Sequence, residues 1–169
     1  MPDPEAVSEV ALGWLRRARS DLVIARKALA GRDELDPWVA SFHAQQAAEK
    51  YLKAALVIEQ IRFPRTHELE RLRPLLPPGW ALPDQAALAG LSRFAVAGRY
   101  PEGPFDAGPE PTWSDAEEAV RLADSVQTGI LAGARSRGIG RRQIEAKKAN
   151  EKADKATDKR GSKITKTLE

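Results

Sequence analysis

Ser41-Phe42-His43-Ala44-Gln45-Gln46-Ala47-Ala48-Glu49-Lys50-Tyr51-Leu52-Lys53-Ala54 is made of helix-favouring residues with neither glycine nor proline. Its small apolar residues return at helical spacing: Ala44, Ala48, Tyr51, Ala55 and Ile58 fall on one line, flanked by Phe42, Leu52 and Leu56. Upstream, Asp36-Pro37 supplies an N-cap and the proline tolerated in a first turn. The spacing predicts a helix from there to about Gln60. So many alanines on one face imply that a neighbouring helix approaches closely.

The rest of the chain repeats that grammar. Ala11, Leu15, Ala18, Leu22, Ala25 and Leu29 make a single stripe, opened by Asp3-Pro4 and closed by Gly31, with Arg16, Arg17, Arg19 and Arg26 lying off it. Pro64 breaks the chain, and Thr66 reads as the cap of a short helix through Leu69, Leu72 and Leu75-Leu76. Asp84 to about Ala97 is expected to be helical, and the proline- and glycine-rich stretch from Tyr100 to Trp113 is expected to be a loop. Ser114-Asp115-Ala116-Glu117 has capping-box spacing and should open a last helix through Val120, Ala123, Val126 and Ile130. There is no period-two alternation and no internal repeat. The expected fold class is all-α, an antiparallel up-and-down bundle of four to five helices.

Charge divides the chain. From Arg135 onward there are 12 Lys/Arg against 5 Asp/Glu, a balance of +7, whereas residues 1–134 carry 15 against 19, a balance of −4. Residues 1–134 are therefore expected to form the bundle, and residues 135–169 a basic low-complexity tail that cannot bury enough apolar surface to order itself. Such a tail is either a solvated extension or an arm that follows a nucleic-acid backbone through salt-sensitive charge contacts. It has no aromatics to stack on bases. The chain lacks cysteine, an apolar run of the roughly 20 residues needed to span a bilayer, and a basic, apolar leader at its start. A soluble cytoplasmic protein with no membrane association is the expectation.

The chemistry-bearing residues are few. No phosphate-binding glycine loop is present, and neither His43 nor His67 has glutamate three residues before it, so a helix-bundle metal site is not expected. No cofactor is implied. His43, Gln46, Lys50 and Lys53 step by 3, 4 and 3 and form a polar ridge beside the alanine face, with Gln45 and Glu49 adjacent. An amide, an imidazole and two ammonium groups on a rigid rod suit a phosphate or a base edge. The alternative is the plain solvent face of an amphipathic helix, with Glu49 and Lys53 spaced for an i,i+4 ion pair.

The segment 41–54 resembles the helix-two signature of HEPN domains, helical bundles of higher eukaryotes and prokaryotes described as nucleotide-binding. Three further pieces fit that resemblance in order: Asp21-Leu22 with Ala25, Thr66-His67-Glu68-Leu69 with Leu72, and Arg99-Tyr100-Pro101. The resemblance implies a nucleotide- or RNA-associated homodimer, the partner of a minimal nucleotidyltransferase in a toxin–antitoxin-like module. His43, Gln46, Lys50, Lys53, Arg99 and Tyr100 would meet the phosphate. An alternative within the family is a metal-independent ribonuclease carrying Arg-x(4–6)-His, whose spacing Arg62 and His67 satisfy. Here Phe63 replaces the asparagine that often follows that arginine, and Leu69 the tyrosine that often follows that histidine. A non-catalytic interaction scaffold is the third reading.

Overall fold

The computed structural model describes residues 3–95 and 110–139. They form five α-helices and, among the described residues, no strand: α1 Pro4–Ala30, α2 Pro37–Ile58, α3 Leu69–Leu72, α4 Gln85–Ser92 and α5 Trp113–Ser136. Single 3-10 turns at Arg73–Leu75 and Arg93–Ala95 extend α3 and α4.

Directions follow from which residues meet. Arg26 of α1 binds Asp124 of α5, and Arg32 just past α1 binds Glu117, so advancing along one helix means retreating along the other. Tyr51 of α2 meets Gln127 and Glu59 meets Arg137, so α2 and α5 run parallel. Helix α1 is antiparallel to both. Helix α4 returns against the start of α5, where Arg93 pairs with Asp115 and lies over the Phe94 ring. The result is the expected up-and-down bundle with three long rods and one short one.

Helix α2 is the central rod. Ala44, Ala47, Ala48, Leu52, Ala54, Ala55 and Leu56 are fully buried, and Tyr51 nearly so. A helix enclosed on nearly every side needs small residues wherever another rod presses against it. Helix α1 contributes Ala11, Ala18, Leu22 and Ala25 to the core, and Leu15 and Leu29 pack at its margin. Its ends are as expected: the Asp3 side chain accepts from the Glu5 amide, and Gly31 is the C-cap.

Two helix starts differ from expectation. Thr66 accepts from the amide of Glu68 at 3.1 Å, and α3 begins only at Leu69, whose own N–H goes to Ser92 Oγ of α4 at 2.8 Å. His67, two residues before it, is held by Gln45 and Glu49 of α2, and the chain stays extended through Glu68. The capping box of α5 is formed by Thr112 and Asp115 instead of Ser114 and Glu117. Thr112 is extended, its hydroxyl accepts from the Asp115 amide at 3.2 Å, and the Asp115 carboxylate accepts from the Thr112 amide at 2.8 Å. The Thr112 hydroxyl also donates to the Asp115 carboxylate at 2.6 Å, and that bond, then the one from the Thr112 amide and the Arg93 guanidinium, hold the Asp115 carboxyl below its ordinary pKa. Thr112→Ala should therefore cost about 1 kcal/mol in urea unfolding, with Thr112→Ser close to wild type.

The expectations for residues 96–97, for the loop up to residue 109 and for the tail from residue 140 lie outside the described residues. Helix α5 continues to Ser136, past the boundary expected at residue 134. Among the described residues, no helix is long and apolar enough to cross a membrane.

Candidate functional site

The polar ridge of α2 is not a solvent face. Asp21 of α1 reaches it with both carboxylate oxygens: Oδ1 lies 3.0 Å from His43 Nδ1, and Oδ2 accepts from Lys50 Nζ at 2.6 Å. Lys50 also donates to Gln46 Oε1 at 3.1 Å, and Gln46 donates to Gln45 Oε1 at 2.7 Å. Gln45 donates onward to Glu49 Oε2 at 3.2 Å and to the backbone carbonyl of His67 at 3.0 Å. Glu49 completes the chain, accepting from Lys53 Nζ at 2.6 Å and meeting His67 Nδ1 at 3.0 Å.

Burial decides how this seam behaves. Gln45 is 0% exposed, Glu49 4% and Lys53 8%. These residues occupy successive turns of α2, and the loop between α2 and α3 closes over them. Phe63 and Trp14 place their rings within 6.0 Å of the Lys53 ammonium, walling it on two sides. A buried charge without a partner is very costly, so the expected i,i+4 pair of Glu49 and Lys53 becomes an internal necessity instead of a surface ornament. Burial pushes the Glu49 carboxyl up. The hydrogen bonds and charge of Lys53, with the bonds from His67 and Gln45, outweigh it and hold the group below its ordinary pKa.

Both imidazoles have the same arrangement. Each sets Nδ1 against a carboxylate, which makes Nδ1 the protonated nitrogen and leaves Nε2 for a second partner. The His67 side chain is 60% exposed and that of His43 25%, so one carboxylate-oriented ring stands in the open and the other at the margin of the seam. Lys50 uses two of its three N–H donors inside the seam.

Of the residues singled out from the sequence, the structure joins His43, Gln46, Lys50, Lys53 and His67 in one hydrogen-bonded network. Arg62 is exposed, and its guanidinium makes no hydrogen bond or ion pair with the described residues. It shares the α2–α3 loop with His67, but nothing links the two side chains. Arg99 and Tyr100 lie outside the described residues. Sequence reasoning did not bring Asp21 into the site, and it treated Gln45 and Glu49 only as neighbours of the ridge. Among the described residues, no cluster of His, Asp or Glu is arranged to hold a metal ion.

The family model of the HEPN domain matches residues 11–129, which takes in both seam helices and the α2–α3 loop. The chain belongs to the HEPN domain family. Two solved structures resemble it. The crystal structure of TT1696 from Thermus thermophilus is 29% identical, with a TM-score of 0.59 over 73% of this chain and 97% of that one. The crystal structure of ST0689, an archaeal HEPN homologue, is 27% identical, with a TM-score of 0.54 over 72% of this chain and 95% of that one. Among curated proteins none matches. Within this HEPN bundle the polar seam joins α1, α2 and the loop before α3, and it supplies charged and titratable groups where a bundle ordinarily has leucine.

Proposed function

We propose that this HEPN chain receives the phosphate of a nucleotide or RNA along the α1–α2 seam. In this reading it acts as a homodimer, the partner of a minimal nucleotidyltransferase in a toxin–antitoxin-like module. The observation that carries the phosphate reading is Asp21. By binding His43 through one oxygen and Lys50 through the other, it holds an imidazole and an ammonium side by side, the imidazole with Nε2 open to a second partner and the ammonium with one N–H still to give. A phosphate oxygen would accept a charge-assisted hydrogen bond from Lys50 Nζ, and a ribose or phosphate hydroxyl beside it would donate to His43 Nε2, both partners being already in position. Gln46 fixes the ammonium from the other side. Arg62 and Arg65 on the α2–α3 loop add two exposed guanidinium groups without partners among the described residues. Arg99 and Tyr100 belong to the same proposal as further phosphate contacts.

Calorimetric titration of the full chain with ATP and with a short RNA tests this reading. Lys50→Gln should weaken binding by about tenfold or more, since a charge-assisted hydrogen bond is lost. RNA affinity should fall steeply with added salt. Silence from wild type at millimolar nucleotide and RNA would leave the interaction scaffold as the better account. The partner half of the proposal rests on the helix-two signature, and a nucleotidyltransferase that co-purifies with the chain would support it.

One feature favours a second reading, the metal-independent ribonuclease. Glu49 orients His67 so that Nε2 meets solvent, the layout of a general acid or base, and Arg62 on the same loop could stabilise phosphorane charge. Cleavage of RNA in the presence of EDTA that survives His67→Ala in full excludes it.

A further inference from the structure

A second concavity lies between the first half of α1 and the last half of α5, over Tyr51 of α2. Its volume is about 340 Å³, and none of its lining residues belongs to the His43–Lys53 network. Leu12 and Leu15 of α1 and Leu131 of α5 form its apolar walls. One turn further along the same face of α1, Arg16 and Arg19 line the cavity beside them. Both arginines are exposed, and neither guanidinium makes a hydrogen bond or ion pair with the described residues.

Those two arginines contrast with the ones that follow them. Arg26 of α1 and Arg32 just past its end are matched by Asp124 and Glu117 of α5. Opposite Arg16 and Arg19, α5 offers no carboxylate: from Ser125 to Ser136 it contains no acidic residue. A charge match kept along one half of the α1–α5 contact stops where the cavity begins.

The floor carries an unused donor. Arg26 donates to Gln127 Oε1 at 3.1 Å, which turns the amide so that Nε2 donates to Tyr51 Oη at 2.6 Å. The tyrosine oxygen is therefore an acceptor, and its own proton has no acceptor among the described residues, although the side chain is only 1% exposed. Burial, the leading influence, raises the Tyr51 pKa, so the group is a neutral O–H donor at physiological pH. A buried hydroxyl proton without a partner is costly, and a ligand atom would satisfy it.

We propose that this cavity binds a small carboxylate with a compact apolar body. The body lies between Leu12, Leu15 and Leu131, the carboxylate takes hydrogen bonds from Arg16 and Arg19, and the Tyr51 proton completes the set. The volume is at the small end of the range for small-molecule sites. The pairing of planar guanidinium with planar carboxylate is the geometry these two arginines are suited to.

Calorimetry on the full chain with 3-phenylpropanoate tests the proposal, with 3-phenylpropan-1-ol and propanoate as probes lacking the charge and the body respectively. The acid should bind with the modest affinity of so small a ligand, and each control about tenfold or more weaker. The exposed double variant Arg16→Gln/Arg19→Gln should lose about tenfold for the acid. Leu131→Trp, which fills the cavity, should abolish binding while the far-ultraviolet circular dichroism spectrum is retained. Lys50→Gln should leave binding of the acid unchanged, which separates this site from the seam. No heat up to roughly 10 mM of the acid overturns the proposal. So does equal binding of acid and alcohol, or binding that survives both the arginine and the Leu131 variants.

Discussion

Replacing Glu49 with alanine is expected to remove about 3–5 kcal/mol of folding stability, because it strands the buried Lys53 ammonium. Nothing else within the seam can take over that charge. Lys53 has Glu49 as its only carboxylate among the described residues, and its other neighbours are the faces of Trp14 and Phe63. Gln45 would also lose the acceptor for one of its N–H groups, and His67 the group that fixes its ring. A double replacement separates charge from packing. Glu49→Leu with Lys53→Met removes both charges at similar volume and should recover most of the loss, since the desolvation cost of the pair disappears with its attraction. The pH dependence has a definite sign. The Glu49 carboxyl titrates below its ordinary 4.5 in the folded chain, so its contribution is fully present above that value. It is lost as pH falls through the depressed folded value. The gap between wild type and Glu49→Gln in urea unfolding should thus be widest near neutrality and close progressively in acid below about pH 4.5. A Glu49→Ala variant within about 1 kcal/mol of wild type at pH 7 would mean that the seam is wetter than its geometry, and that Lys53 escapes to solvent.

How much of this was legible in the sequence depends on whether one helix or two is needed to see it. The stripes of α1 and α2 were readable because burial on a rod repeats with the rod's own period. Their caps were readable too, where Asp and Pro stand alone before the stripe, as at Asp3-Pro4. At α5 two overlapping cap patterns compete, Thr112 with Asp115 and Ser114 with Glu117. The choice falls to Thr112, whose partner Asp115 is also fixed by Arg93 of the turn after α4. The polar ridge of α2 was visible as spacing, and so was the Glu49–Lys53 pair. Its inward character was not visible, because that depends on Asp21 and His67 arriving from two other segments. The axial register of α1 against α2 decides that Asp21 sits between His43 and Lys50, and no pattern within either helix encodes it. A faint signal did exist. An acid directly beside Leu22 of the buried stripe stands at the margin of the helix contact, where a charge needs a partner.

Helix α5 also carries a feature that helix propensity alone would misjudge. Gly129 and Gly133 lie one turn apart on its buried face, and glycine inside a helix ordinarily costs about 1 kcal/mol relative to alanine. On that ground Gly129→Ala should stabilise the protein. The packing says the reverse. A Cβ at residue 129 would lie 1.7 Å from the Ala81 carbonyl oxygen, and one at residue 133 would lie 2.5 Å from the Trp80 ring. The segment Trp80-Ala81 crosses α5 in this notch, backbone against backbone. Its own anchors leave it little room to retreat: Trp80 Nε1 donates to Glu59 Oε1 at 2.8 Å, and the Arg137 guanidinium stacks over the indole at 4.2 Å. Gly129→Ala is therefore expected to destabilise by about 3 kcal/mol or more, at or beyond the upper end of ordinary overpacking, because the obstacle is a carbonyl and not a side chain that can rotate. Gly133→Ala should cost less, about 1–3 kcal/mol, since an indole edge can shift. Gly90→Ala on the exposed side of α4, where an added methyl meets nothing within 4 Å, is the control. It should gain about 0.5–1 kcal/mol, the propensity difference by itself. Opposite signs at Gly129 and Gly90 in the same urea titration would show that close approach, not helix propensity, keeps glycine in α5. A stabilised Gly129→Ala would show instead that Trp80-Ala81 is free to lift away. The notch would then have no part in fixing the C-terminal half of α5, where Leu131 and Gln127 line the second cavity.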